Sequence, residues 1–136
     1  VLHQGLTPDG LYVLDNPLEV SEALLKRGRE QFDIFCAVCH DRLGTGRGMI
    51  LRYPADRGYA GFPPPPSFHE ERIREMPDGQ MFEVITHGVR TMPAYGMQIG
   101  HNDRWAIIAY VRALQRSQQA QRADVPRETL DMWESR

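Results

Sequence analysis

The 136-residue chain has the length of one domain, with sixteen basic and eighteen acidic side chains and a net charge of −2. That balance argues against a nucleic-acid partner, which usually selects a basic excess. The longest apolar run, Trp105 to Val111, has seven residues against the roughly 20 of a membrane span, and two cysteines are too few to frame a disulfide domain.

No charged-then-apolar leader opens the chain at Val1, so either a leader has been removed or the protein is cytoplasmic. Residues 1–20 read as irregular, punctuated by the turn signals Thr7-Pro8-Asp9-Gly10 and Asp15-Asn16-Pro17. Ser21 is the expected N-cap of a first helix, with Glu22 in its first turn. That helix carries Ala23, Leu24, Gly28, Phe32 and Phe35 and leads to Cys36. A mid-helix glycine costs about 1 kcal/mol relative to alanine. A close helix crossing would justify Gly28; a tolerated surface glycine is the alternative.

Both cysteines fall in Cys36-Ala37-Val38-Cys39-His40. Chance produces this arrangement on the order of once in two thousand such chains. Two thiols three residues apart can add to the two vinyl groups of one haem, and the adjacent imidazole can bind the iron beneath. A thioredoxin-type pair expects a βαβ pattern, which is absent here. A structural zinc site needs about four ligands, and no second pair exists. The motif therefore points to covalent haem c.

Gly44-Thr45-Gly46-Arg47-Gly48 reads as a loop; it lacks the ending of a phosphate-binding P-loop. Residues 52–66 read as loop, and Pro63–Pro66 as a polyproline II segment walling a cavity. Ser67-x-x-Glu70 is a capping box opening a short helix that Pro77 closes. Asp78 is the expected cap of a helix over Gly79–His87, with Gly88 as its C′ residue. The last helix is expected over Asn102–Arg122, with Trp105, Ile108, Ala109, Tyr110 and Leu114 as its apolar face. The expectation is an all-α fold of three to four helices without a strand pair. Its long loops are uncommon unless a cofactor fills the space between them. The domain division is a 1–20 extension, a 21–116 domain and a 117–136 extension.

A second axial ligand must come from methionines 49, 76, 81, 92, 97 and 132 or histidines 3, 69, 87 and 101. Met81 suits core filling, and Met132 and His3 lie in the tails. His87 and His101 suit helix-end and surface roles. Met92 lies in the irregular Thr91-Met92-Pro93-Ala94-Tyr95, where Pro93 restricts its backbone. Met97 is the local rival. Propionate partners are not identifiable; Arg47, Arg52, Tyr53 and Trp105 are candidates, and Pro54 or a later proline could offer a carbonyl to the His40 ring.

Gly28 and Phe32 before C-x-x-C-H, the Met92-Pro93 segment and a final helix bearing Trp105 and Tyr110 resemble class I cytochrome c over residues 21–116. The resemblance implies that fold around one covalent haem, with the end helices crossing at Gly28, Phe32 and Tyr110. It also implies Cys36 and Cys39 as thioethers, His40 as proximal and Met92 as distal iron ligand. Phe62–Phe68, Val84–Gly88, Met92–Tyr95 and Asp103–Ile107 are similar to the monohaem cytochrome c subunit of bacterial alternative complex III. That implies a periplasmic or extracytoplasmic, membrane-associated electron carrier, not itself an enzyme, partnered by other subunits of a quinol-oxidising respiratory complex. The family's anchoring cysteine has no counterpart at Val1. Fifteen arginines against the single Lys26 suit a docked subunit, since arginine is favoured at interfaces; genomic base composition explains the bias equally well. The alternatives are a haem sensor or peroxidase-like protein with an open iron site, and a zinc-binding module.

Overall fold

Ser21 is extended (φ −130°, ψ 164°) and its Oγ accepts from the Leu24 amide at 3.1 Å, so helix α1 starts where its cap predicts and runs Glu22–Phe35. The computed structural model of the chain describes residues 1–56 and 63–135. After α1 come α2 (Ala37–His40), α3 (Met49–Asp56), α4 (Glu71–Arg74), α5 (Asp78–His87), α6 (His101–Ser117), a 3₁₀ turn (Arg122–Asp124) and α7 (Arg127–Glu134). The described residues form no strand, only the isolated bridges Leu6–Tyr12 and Val89–Met92. None of their helices is long and apolar enough to cross a membrane. The all-α expectation holds. Three helices of ten or more residues are joined by short ones, more elements than the three to four expected.

The core lies where α6 crosses α1. Phe32, Phe82, Trp105, Ile107 and Ile108 are essentially solvent-free, and burying each such side chain contributes about 1.5–3 kcal/mol. Phe32 meets Tyr110 with ring centroids 5.4 Å apart, and Phe82 stacks on Trp105 at 4.5 Å. Gly28 sits at the crossing. A Cβ there would overlap the Ala106 carbonyl oxygen, lie 2.6 Å from its carbon and 3.0 Å from Tyr110 Cβ. The close-crossing reading of Gly28 is therefore correct, and the surface-glycine alternative is not.

Several boundaries differ from expectation, each for a local reason. α6 stops at Ser117, not Arg122, because its buried apolar stripe ends at Leu114 and residues 118–121, three of them glutamines, are exposed. The Asp124 carboxylate instead accepts from the Gln121 amide and pairs with Arg116, which turns the chain. α3 occupies the first part of the predicted 52–66 loop: Pro54 removes one backbone donor, but Met49–Leu51 precede it without a breaker. Of that loop, 57–62 lie outside the described residues. The Ser67–Glu70 box is half formed, since the Ser67 amide donates to Glu70 but Ser67 Oγ accepts from His69, so α4 starts one turn late and ends before Pro77. Asp78 is not the cap of α5, because its carboxylate is engaged by Arg112.

Residues 1–20 are irregular, and the arm they form lies on α5 and α6. Trp105 Nε1 donates to the Leu2 carbonyl (2.9 Å), Asn16 Nδ2 to the Trp105 carbonyl (2.8 Å) and the Gly79 amide to the Val13 carbonyl (2.9 Å).

Gly28→Val is expected to destabilise the protein by about 1–3 kcal/mol, despite removing a poor helix former, because the side chain must push α6 backbone away. A denaturant midpoint at or above wild type would contradict the packing.

Candidate functional site

α1 ends at Cys36, whose amide still donates to the Phe32 carbonyl, and α2 makes the single turn that follows. Cys36 and Cys39 are three apart on that turn, so their thiols share one side, with His40 at its end. Asp41 stops the turn in a left-handed conformation (φ 57°). Its carboxylate accepts from the Leu43, Thr45 and Arg47 amides at 2.7, 3.3 and 3.2 Å and from the Thr45 hydroxyl. Burial works against the charge, but these hydrogen bonds outweigh it and hold the carboxyl below the usual carboxylate range.

The loop so formed folds back on the motif. The Gly46 and Gly48 amides donate to the carbonyls of His40 (3.1 Å) and Cys39 (2.9 Å). A Cβ at Gly48 would overlap the Val38 carbonyl and lie 2.5 Å from the Cys39 oxygen. These glycines permit backbone-on-backbone packing; the sequence identified them only as loop residues.

His40 is buried and stacks on Phe68, ring centroids 4.5 Å apart. Burial pulls its pKa down to about 4, against the opposing pull of Asp41. The imidazole is therefore neutral at pH 7, the form that binds a metal. Its Nδ1 is sealed and meets no hydrogen-bond partner among the described residues. Both cysteines are free. Burial, and then the neighbouring Cys39, push the Cys36 thiol up to about 12; burial also raises Cys39. Among the described residues no three His, Cys, Asp or Glu side chains converge on a single ion position. Two protonated thiols, a neutral imidazole and an orphaned buried ring nitrogen fit a porphyrin bound at two vinyl positions and an iron.

Met92 lies in a tight turn. The Val89 amide donates to the Met92 carbonyl (3.1 Å) and the Met92 amide to the Val89 carbonyl (2.9 Å), between Gly88 (φ 74°) and Pro93. The Tyr95 and Gly96 amides donate to the Ile85 and Thr86 carbonyls of α5. Met92 is half-buried against the core, whereas Met97 is 98% exposed. The Tyr95 ring meets that of Phe35, next to Cys36, at 6.0 Å. Burial, and then Cys36 and Cys39, raise the pKa of the Tyr95 hydroxyl.

The remaining candidates scatter. Met81 is core, Met76 packs at its edge, and Met49 and Met132 are exposed. His87 ends α5 in solvent, and His101 meets His3 edge-on at 4.6 Å. His69 bonds the Leu43 carbonyl. Trp105 is fully buried with its N–H on Leu2, so it is unavailable to a propionate; Arg47 and Arg52 are exposed, and the Tyr53 side chain lies outside the described residues. Asp41, Phe68 and Arg104 were not singled out from the sequence. Two open clefts, about 440 and 370 Å³, flank the Asp78–Arg112 pair and contain none of the motif residues.

The family described as "Cytochrome C oxidase, cbb3-type, subunit III" matches residues 23–111, well over half of the chain. The chain belongs to that family. It is an α-helical c-type cytochrome domain of the class I type, and the kinship supports a haem cofactor. Among solved structures, a chain of the Kuenenia stuttgartiensis reducing HAO-like protein complex is 22% identical, with a TM-score of 0.57 over 72% of this chain. That likeness is one of fold, and this chain spans 46% of its length. No curated protein matches.

Asp41→Ala should lower stability by about 1–3 kcal/mol, because it strands the Leu43, Thr45 and Arg47 amides together. Amide exchange should quicken first at residues 43–48. An unchanged exchange pattern there would show that the loop is held by something other than this carboxylate.

Proposed function

We propose that the protein is a monohaem c-type cytochrome that carries single electrons and catalyses no reaction of its own. Residues 21–116 form the haem unit, with Cys36 and Cys39 as thioethers to haem c, His40 as proximal and Met92 as distal iron ligand. The haem supplies a one-electron couple whose potential the axial ligands and burial tune. The observation that carries this reading is the C-x-x-C-H turn, presented within a chain of the cytochrome family with its imidazole buried and neutral. The chain's own part is to hold geometry. α2 fixes the spacing of the thiols, the Asp41 loop fixes the backbone beneath His40, and the Val89–Met92 turn presents a thioether. The half-burial of Met92 and the full exposure of Met97 support Met92.

The partners are the other subunits of a multi-subunit respiratory complex, in keeping with the subunit named by the family. The finer placement, a cytochrome subunit of an alternative complex III passing electrons from quinol towards a terminal oxidase, rests on the sequence segments alone. Haem c attachment is extracytoplasmic chemistry in this family, so the chain is periplasmic or extracytoplasmic and held at the membrane by those subunits.

Acid-acetone extraction of the holoprotein should leave the haem on the polypeptide, and Cys36→Ala with Cys39→Ala should release it. Met92→Ala should abolish the far-red sulfur-to-iron charge-transfer band, lower the potential and open the ferrous iron to carbon monoxide; Met97→Ala should change none of these. Carbon monoxide binding by the wild-type ferrous protein would favour an open iron site instead.

A further inference from the structure

Arg104 is 3% exposed, and no carboxylate lies within ion-pair distance of it among the described residues. A buried guanidinium persists only where its donors are used. Here three are: two on carbonyls of the 88–99 segment and one on a side-chain hydroxyl of α5. Nε donates to the Ile99 carbonyl at 2.8 Å, Nη1 to Thr86 Oγ1 at 2.8 Å and Nη2 to the Gly96 carbonyl at 2.9 Å. The guanidinium also lies over the Phe82 ring, 5.0 Å from its centroid. Thr86 Oγ1 in turn donates to the Phe82 carbonyl, and the Thr86 carbonyl accepts the Gly96 amide at 3.1 Å.

The consequence runs along the chain. Residues 88–100 connect α5 to α6, and the 88–99 segment within them carries Met92. The Val89–Met92 bridge closes the segment's first turn on itself, the Gln98 and Ile99 amides close on the Tyr95 carbonyl, and Arg104 ties the far end to α6. A planar fork of five donors can span the three acceptors; the point charge of a lysine cannot. An apolar side chain would leave the Gly96 and Ile99 carbonyls without these donors.

We propose that Arg104 is a positioning residue for the distal ligand: by clamping Gly96, Ile99 and Thr86 it holds the 88–99 segment so that the Met92 thioether stays on the iron against competing ligands. This rests on the reading of Met92 as axial ligand. Arg104 acts through the segment, since its guanidinium donors are used on Ile99, Thr86 and Gly96.

The test is titration of ferric holoprotein with imidazole, with the charge-transfer band as readout. Arg104→Gln should raise apparent imidazole affinity at least tenfold, and Arg104→Lys by less. Thr86→Val, which removes one of the three acceptors and leaves the guanidinium, should move it in the same direction and keeps the test open if Arg104→Gln fails to mature. Arg112→Gln is the control, since Arg112 is also a partly buried α6 arginine but clamps the opposite end of α5 through Asp78 and the Arg74 carbonyl. It should lower the melting temperature and leave imidazole affinity within twofold of wild type. If Met92→Ala leaves the wild-type spectrum unchanged, the axial reading fails and the proposal with it. If Met92→Ala removes the band but Arg104→Gln and Thr86→Val leave imidazole affinity within twofold, the proposal alone fails.

Discussion

The contact between the Gly28 backbone and the Ala106 carbonyl sets the position of everything else. It is short because there is no Cβ, and a short contact between helices leaves little freedom in their crossing. α1 ends one residue before the first thiol, and α6 begins two residues after the 88–99 segment that carries Met92. The crossing therefore fixes both ends of the site through rigid elements, although Gly28 touches neither. The Arg27–Asp103 pair, with two hydrogen bonds of 2.8 Å, spans the same two helices nearby. It is half-exposed, and pairs of that kind contribute little beyond orientation.

The two halves of the site are held by different physics. The Cys36–His40 side is fastened by its own neighbourhood: a one-turn helix, a left-handed Asp41 whose carboxylate gathers three amides, and glycines that let the 44–48 loop lie on the motif. Those interactions are local in sequence, and the Phe68 region packs on them from outside through the His40–Phe68 stack and the His69–Leu43 bond. The Met92 side depends on tertiary partners, namely the end of α5 and a side chain from α6. A segment held by long-range contacts can loosen while the other half stays intact, which suits the role proposed for Met92, a ligand that sets potential and accessibility rather than attachment.

The same division explains what the sequence made legible. C-x-x-C-H could be read as a haem motif because its three groups lie within five residues, and Ser21 marked the helix start because capping is local. Gly28 left two readings open, since the identity of the crossing partner is a tertiary fact. Asp41 was overlooked because an aspartate after a histidine looks like an ordinary solvated turn residue. Arg104 was overlooked for a stronger reason: an arginine in the first turn of a helix is normally exposed, and only folding brings three acceptors around it. The end of α6 was misplaced because Gln118–Gln121 have good helix propensity but nothing to bury. The capping boxes were half right; Glu70 answered Ser67, whereas Asp78 was drawn away to Arg112.

α5 and α6 show how the long-range half is built. Arg104 meets Thr86, and Arg112 meets Asp78. The two arginines are eight residues apart, as are their partners in the opposite chain direction, about 12 Å along each helix. Two clamps at matching spacing fix the antiparallel register of the pair, and a single clamp would leave it free to pivot. They are not equivalent. Arg112 pairs with a carboxylate at the start of α5, whose pKa burial still raises against the pull of Arg112, and it also donates to the Arg74 and Met76 carbonyls. Arg104 neutralises nothing; burial lowers its own pKa, and two of its three acceptors are loop carbonyls. The unbalanced charge at one end of an otherwise symmetric arrangement is therefore tied to the segment leaving α5, and that segment carries Met92.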